Sequence, residues 1–277
     1  MLPTSKARPT EVNRVHDAVD GQAPGDLAEF LREEVLSGRL AFGSVLPSER
    51  DLAKQTGFSR STVREAIKVL HAEGLIKLSE SSRRAVVQRP TTAPMKRVFE
   101  TFVHGHQISL DALLAARLIV EPEVAALAAE NSSPATLSVL YAATAEHEAA
   151  TEIESHLVLH AAWHKAVGDA SGNVVLASLV DALTHISYAG TRSLYVRTAK
   201  HMDLVCKSHR RILSAIANAD VDGARRCMRE HIEAYRSELA AKRLLKASVP
   251  LEDRFGLGSA EVLYLGSRPL DAVRHDG

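Results

Sequence analysis

A chain of 277 residues is long enough for two domains, each burying a core of its own. Hydrophobic content of 45% and charge of 25% are those of a globular protein, and no run of about eighteen apolar residues spans a membrane. Net charge is zero, so the molecule as a whole exerts no general pull on nucleic acid and any such footprint is local. Aromatic content of 4% with abundant alanine favours helix over sheet. Cys206 and Cys227 have neither metal-knuckle nor disulfide spacing, and the N-terminus has no apolar signal core, so a cytoplasmic location is expected.

Residues 1–25 carry prolines at 3, 9 and 24 without periodicity and read as a flexible arm. Over 26–37, Leu27, Phe30, Leu31, Val35 and Leu36 form the stripe of a first helix. Residues 46–75 then read as two short helices joined by a tight turn. Ser48 can cap the first, with Asp51 completing an acidic capping box, and Gly57 supplies the turn. Ser59 or Ser61 caps the second, whose Val63, Ala66, Ile67 and Leu70 recur at helical spacing before Gly74. Arg60, Ser61, Thr62 and Arg64 are left exposed at its start. A helix-turn-helix uses this part of its recognition helix to reach base edges in the major groove. Arginine's planar fork can bond guanine O6 and N7 together, while Ser and Thr suit phosphate. The plainer alternative is a helical hairpin with solvated arginines. Residues 26–89 hold eleven Lys and Arg against nine Asp and Glu, a net of +2, so placement of the arginines matters more than their number.

After Leu75 the chain alternates like two short strands, Ile76 and Leu78 followed by Val86 and Val87, around a polar turn that ends in Arg83 and Arg84. Such a hairpin is a wing whose tip can enter the minor groove, or simply a solvated turn. The text LPSER, the S-R-x-x-V-R-E-A run over 59–66 and the E-G-L over 73–75 resemble the DNA-binding domain of the GntR family of bacterial transcription regulators. That resemblance implies a winged helix-turn-helix over 26–90, with Arg50, Arg60 and Arg64 as the principal DNA contacts. The family's wing usually carries Arg-Gly where this chain has Arg83-Arg84. An arginine can itself occupy a narrow minor groove.

Residues 91–109 read as a linker with a short connecting helix. From 110 to 246 every segment is helical in pattern, with breaks at 132–134, 168–173, 190 and 218–222, which predicts a bundle of six to seven helices. The fold expected is therefore mainly α. ARLIVEPEVAALAA, WHKAVGDASGN, SHRRILSAIANAD and MREHI resemble the all-helical ligand-binding FCD domain of the FadR subfamily. Residues 247–277 form a tail rich in Gly and Pro, in which 262–265 is a short apolar run that could dock on the body.

Ten of the thirteen histidines lie between His104 and His231. His160 and His164 are four residues apart and so share a helix face, while His209 and His231 fall in register with apolar positions of later helices. Four imidazoles converging in a bundle can hold Zn, Ni, Cu or Fe, although single histidines are more often structural. Many FCD domains bind a divalent metal through an Asp and three His. By that resemblance His164, His209 and His231 match the histidine positions and His160 stands at the aspartate. The exchange removes a negative charge, which favours Zn or Ni over hard metals and strengthens the pull on an anion. Four imidazoles around zinc also close a tetrahedral shell. Cys206 and Cys227 lie within a turn of His209 and His231 as possible substitute ligands or buried thiols.

Arg117 pairs by spacing with Glu121, and the matching family arginine often clamps an effector carboxylate. Asn173 reads as a helix cap, and Arg192, Tyr195 and Arg197 are further polar groups for a pocket. Together these readings predict no enzyme but a homodimeric DNA-binding regulator, expected to repress, on an inverted-repeat operator of double-stranded DNA. A small organic acid would set its DNA affinity, possibly at the metal. A regulator answering to the metal alone, or a metal-dependent enzyme with a DNA-binding appendage, are the alternatives.

Overall fold

The structure, a computed structural model, describes residues 24–78, 84–192 and 198–249. The expectations for Arg83, Tyr195, Arg197, the Arg192 side chain, most of the N-terminal arm and the 262–265 run lie outside these residues. The chain divides into two compact units, residues 1–97 and 98–277.

In the first unit α1 (Pro24–Leu36) packs on α3 (Arg60–Ala72), and α2 (Glu49–Thr56) lies beside it. Leu27, Leu31 and Val35 are buried at four-residue spacing, with Ala28 beside them. Leu36 corrects the predicted stripe: nine residues beyond Leu27, it points to the opposite face and is 60% exposed. Ser48 caps α2 by accepting from the Asp51 amide, and Gly57 closes that helix at φ 76° in the left-handed region. Ser59, rather than Ser61, caps α3 by accepting from the Thr62 amide. Val63, Ala66, Ile67 and Leu70 bury the inner face of α3, and Gly74 follows at φ 73°. Strands β1 (Ile76–Leu78) and β2 (Ala85–Val87) pair antiparallel, Ile76 opposite Val87. Ile76 and Val87 are sealed into the same core as Leu52 and Leu70.

Helix α4 (Ala93–Gly105) leads into the second unit, whose further helices among the described residues are α5 (Leu110–Asn131), α6 (Pro134–Ala149), α7 (Ile153–Ala170), α8 (Val174–Arg192), α9 (Ala199–Ala217) and α10 (Val221–Ala241). Helix α5 is central: it lies along α10 and also meets α7, α8 and α9. Its interior face is apolar except for Arg117 and Glu121. Ser109, Ser133, Asn173, Thr198 and Asp220 place side-chain acceptors at helix starts, which satisfies amides that would otherwise have no partner. Beyond α10 the chain folds back, and Leu110 N donates to Ala247 O while Val249 N donates to Ile108 O. The tail thus begins by pairing with the start of α5. Among the described residues no helix is long and apolar enough to cross a membrane.

Candidate functional sites

The first turns of α3 present Arg60, Ser61 and Arg64 to solvent, with Arg50 exposed on α2 and Arg84 exposed where β2 begins. Thr62 is half-buried because its hydroxyl lies 2.9 Å from the Ser59 hydroxyl within the cap. The Ser61 hydroxyl is 2.7 Å from the same group. Arg64 is held by Glu49 across the turn, Nη2 to Oε2 at 2.9 Å. That bond holds the Glu49 carboxyl below its usual range despite some burial. Glu49 therefore orients Arg64, one of the candidate base-reading side chains. Sequence spacing gave no sign of this, since the two residues are fifteen apart on different helices.

The second cluster is buried. His160 and His164 project from α7, His209 from α9 and His231 from α10, and one nitrogen from each lies within 4.8 Å of all the others. Trp163 fixes the cluster from one side: its ring stacks on His209 at 3.7 Å, and its indole N–H donates to Thr144 on α6. Tyr188 of α8 covers His160 at 4.2 Å. On the other side Glu121 accepts from His164 Nδ1 at 2.6 Å and from Arg117 Nε at 2.5 Å.

Protonation follows from this packing. Burial alone would raise the Glu121 carboxyl, but Arg117 and His164 beside it hold it well below the usual carboxylate range. An ionised carboxylate only accepts, so His164 donates from Nδ1 and its Nε2 carries the lone pair. That atom lies 3.0 Å from His160 Nε2 and 3.3 Å from His231 Nε2. Burial, reinforced by neighbouring imidazoles, pushes His160, His209 and His231 far below the ordinary histidine range, and His164 is lowered as well. All four are the neutral form that ligates metal.

The set fits a transition metal on three observations. The two N···N distances from His164 Nε2, 3.0 and 3.3 Å, approach the roughly 3.3 Å edge of a tetrahedron with bonds of about 2.0–2.1 Å. The Glu121–His164 contact is the carboxylate–histidine arrangement that orients a ligand from behind. The His209 Nε2 atom is buried without a hydrogen-bond partner, which is costly unless something else occupies it. Neither cysteine joins this set: Cys206 Sγ is 3.9 Å from His147 Nδ1, and Cys227 Sγ is 3.8 Å from Arg211 Nη2.

Arg117 forms the intrahelical pair its spacing predicts, but wholly buried, with its guanidinium 5.2 Å over the Tyr188 ring. Its Nη1 is buried without a hydrogen-bond acceptor. Asn173 is a cap, Oδ1 accepting from the amides of Val175 and Leu176. A groove of about 410 Å³ between α9 and α10, bordered by Arg210, Arg211 and Arg226, contains none of the histidines. Two of its arginines are engaged by Glu148 and Glu230.

Residues 25–86 match the gntR family of bacterial regulatory proteins, and residues 111–234 match the FCD domain. The Glc operon transcriptional activator of Escherichia coli is 31% identical over 244 residues, 82% of this chain and 94% of the relative. The chain belongs to the GntR family. The Uxu operon regulator of Haemophilus influenzae is 26% identical over 219 residues, 77% of this chain and 80% of its own. A solved Streptococcus agalactiae GntR structure covers 78% of this chain and 100% of its own, with a TM-score of 0.57 and 22% identity, a likeness of fold alone. This GntR protein is accordingly a DNA-binding transcription regulator with an FCD effector domain, and its family comprises regulators rather than enzymes.

Sequence reading missed several members of this regulator's buried site. His147 and His156 join the histidine cluster, and Glu121, read only as an ion-pair partner, is also the carboxylate behind His164. Trp163 and Tyr188 are its walls. The available signal was the repeat of histidine at 156, 160 and 164, which places three imidazoles along one side of a helix.

Proposed function

We propose that the helical domain holds one divalent transition metal, zinc or nickel, on His160, His164, His209 and His231, and that a small organic acid acting there sets operator affinity. The observation that carries this reading is the buried four-histidine set with Glu121 behind His164 and a vacant donor on Arg117. The ion would supply Lewis acidity for an anion, and Arg117 a buried cation with a planar fork. A 2-hydroxy acid offers two adjacent oxygens to a metal and a carboxylate to arginine, so it is the first class to test.

On the DNA side, Arg50, Arg60, Ser61, Thr62, Arg64, Arg83 and Arg84 are the proposed contacts, read by two subunits of a homodimer on an inverted repeat. A dimer is supported by Ile119, Val174 and Val175, apolar side chains at least 71% exposed in the helical unit. The FCD match supports placement in the FadR subfamily with cytoplasmic action. Release of DNA by ligand, hence repression, is the proposed sign, although the Escherichia coli relative is named an activator.

The test begins by selecting a bound duplex from a random library, then follows its fluorescence anisotropy with zinc-loaded protein and L-lactate or other 2-hydroxy acids. An acid-dependent shift in operator affinity that His164→Ala abolishes is expected. Operator affinity that tracks zinc alone would make the metal itself the signal, and indifference to both would end the effector reading.

A further inference from the structure

The four-histidine set does not use all of the buried imidazoles. His147, on the last turn of α6, and His156, near the start of α7, are buried as completely as the four. His147 Nε2 lies 3.2 Å from His156 Nε2, and its Nδ1 lies 3.2 Å from His209 Nδ1. The His147 ring is centred 4.1 Å from that of His156 and 5.4 Å from that of His160. One nitrogen from each of His147, His156 and His160 lies within 4.8 Å of the other two.

Six imidazoles in a bundle core are a costly filling, because each buried ring nitrogen forfeits water and an apolar side chain of similar volume would not. Both ring nitrogens of His147 face other imidazoles, Nε2 that of His156 and Nδ1 that of His209. Neutral imidazoles at mutual ligand distance have a common partner in a borderline transition metal.

We propose that His147, His156 and His160 form a second transition-metal position, contiguous with the four-histidine set and sharing His160 with it. The proposal rests on the metal reading above only for that shared ligand. A neutral imidazole gives its lone pair to one ion at a time. Filling the second position with His160 leaves His164, His209 and His231 as a three-histidine set with its fourth place open, the arrangement that admits an exogenous ligand. The histidine at the aspartate position thereby resolves how a closed tetrahedral shell takes an acid. Two cations so close repel one another, so the second binds more weakly than the first.

Full-length protein that has never met a nickel column is stripped with chelator and brought to equilibrium dialysis against buffered Zn²⁺, with elemental analysis as readout and Co²⁺ absorption as a second. Two ions per chain are expected at saturation, with His147→Ala/His156→Ala and His164→Ala/His231→Ala each retaining one. If the double alanine variant does not fold, His156→Gln, which keeps a polar side chain, gives the same count. One ion in wild type, undisturbed in the His147/His156 variants, overturns the second position and leaves the four-histidine reading standing. One ion lost only in those variants supports the second position and removes the first. No ion at all overturns both.

Discussion

In the N-terminal unit the candidate side chains stand in solvent, chiefly on the first turns of α3, whereas in the helical unit they are buried among one another. The exposed set suits a polyanion, as proposed: Arg60 is exposed, Arg64 leans on Glu49, and a mainly apolar core lies beneath them. The buried set gathers imidazoles, one carboxylate and one guanidinium between Trp163 and Tyr188, which is why a small cation is proposed for it. The difference teaches where each unit is vulnerable. Counterion release makes the DNA face sensitive to salt, while desolvation makes the histidine cluster sensitive to protons and to the loss of a single charge.

The largest effect is expected at Arg117. Arg117→Ala leaves the Glu121 carboxylate buried with only His164 and the Thr184 hydroxyl as hydrogen-bond partners among the described residues, and breaking a buried ion pair costs about 3–5 kcal/mol. Chemical denaturation should show that loss in the helical transition while the N-terminal unit, excised or followed by its own probe, is unaffected. A variant as stable as wild type would mean that the pair is dispensable packing.

Protons come next. Five imidazoles (His147, His160, His164, His209 and His231) have folded values below the ordinary histidine value near 6.5. Below that pH the unfolded chain takes up protons that the folded chain refuses, so stability is full above it and falls as pH drops. Each contributes up to about 1.4 kcal/mol per pH unit in that window. Metal-free protein should therefore lose melting temperature steadily from pH 7 to pH 5, and a flat profile would contradict neutral, buried histidines. The proposed DNA contacts include no histidine, so operator binding at pH values where the fold is intact should respond to salt instead.

A smaller effect is expected from the arginines. Arg60→Ala or Arg64→Ala should cost about 1–3 kcal/mol in operator binding and flatten preference among sequences, without a change in the dimer. Unchanged preference in the selected library would remove α3 as the reading helix. Smallest is Glu49→Gln. An exposed ion pair contributes little to stability, so the melting temperature should stay where it is while freed Arg64 steepens the salt dependence of DNA binding. An unaltered salt slope would mean that Glu49 does not compete with phosphate.

The same contrast explains what could be read in advance. The DNA-binding unit was legible because its signals are local: Ser48, Gly57, Ser59 and Gly74 act within a few residues, and Val63 to Leu70 repeat at helical spacing. Leu36 is contiguous with the apolar stripe in sequence but lies half a turn away from it on the helix and is exposed. The helical unit gave up its helix count and four of its histidines. His147 and His156 escaped because α6 had to fold back on α7 before their rings could meet across nine residues. Glu121 could be paired with Arg117 by spacing, but its bond to His164, forty-three residues on, depends on how α5 crosses α7.

X-ray absorption at the zinc and nickel K-edges, on protein grown without added metal and kept from nickel resin, tests the proposed metal centre most directly. An all-nitrogen first shell at about 2.0–2.1 Å with the outer-shell scattering of imidazole is expected, with less metal per chain in His164→Ala. Metal-free protein, or a shell of oxygen indifferent to His164, would contradict it.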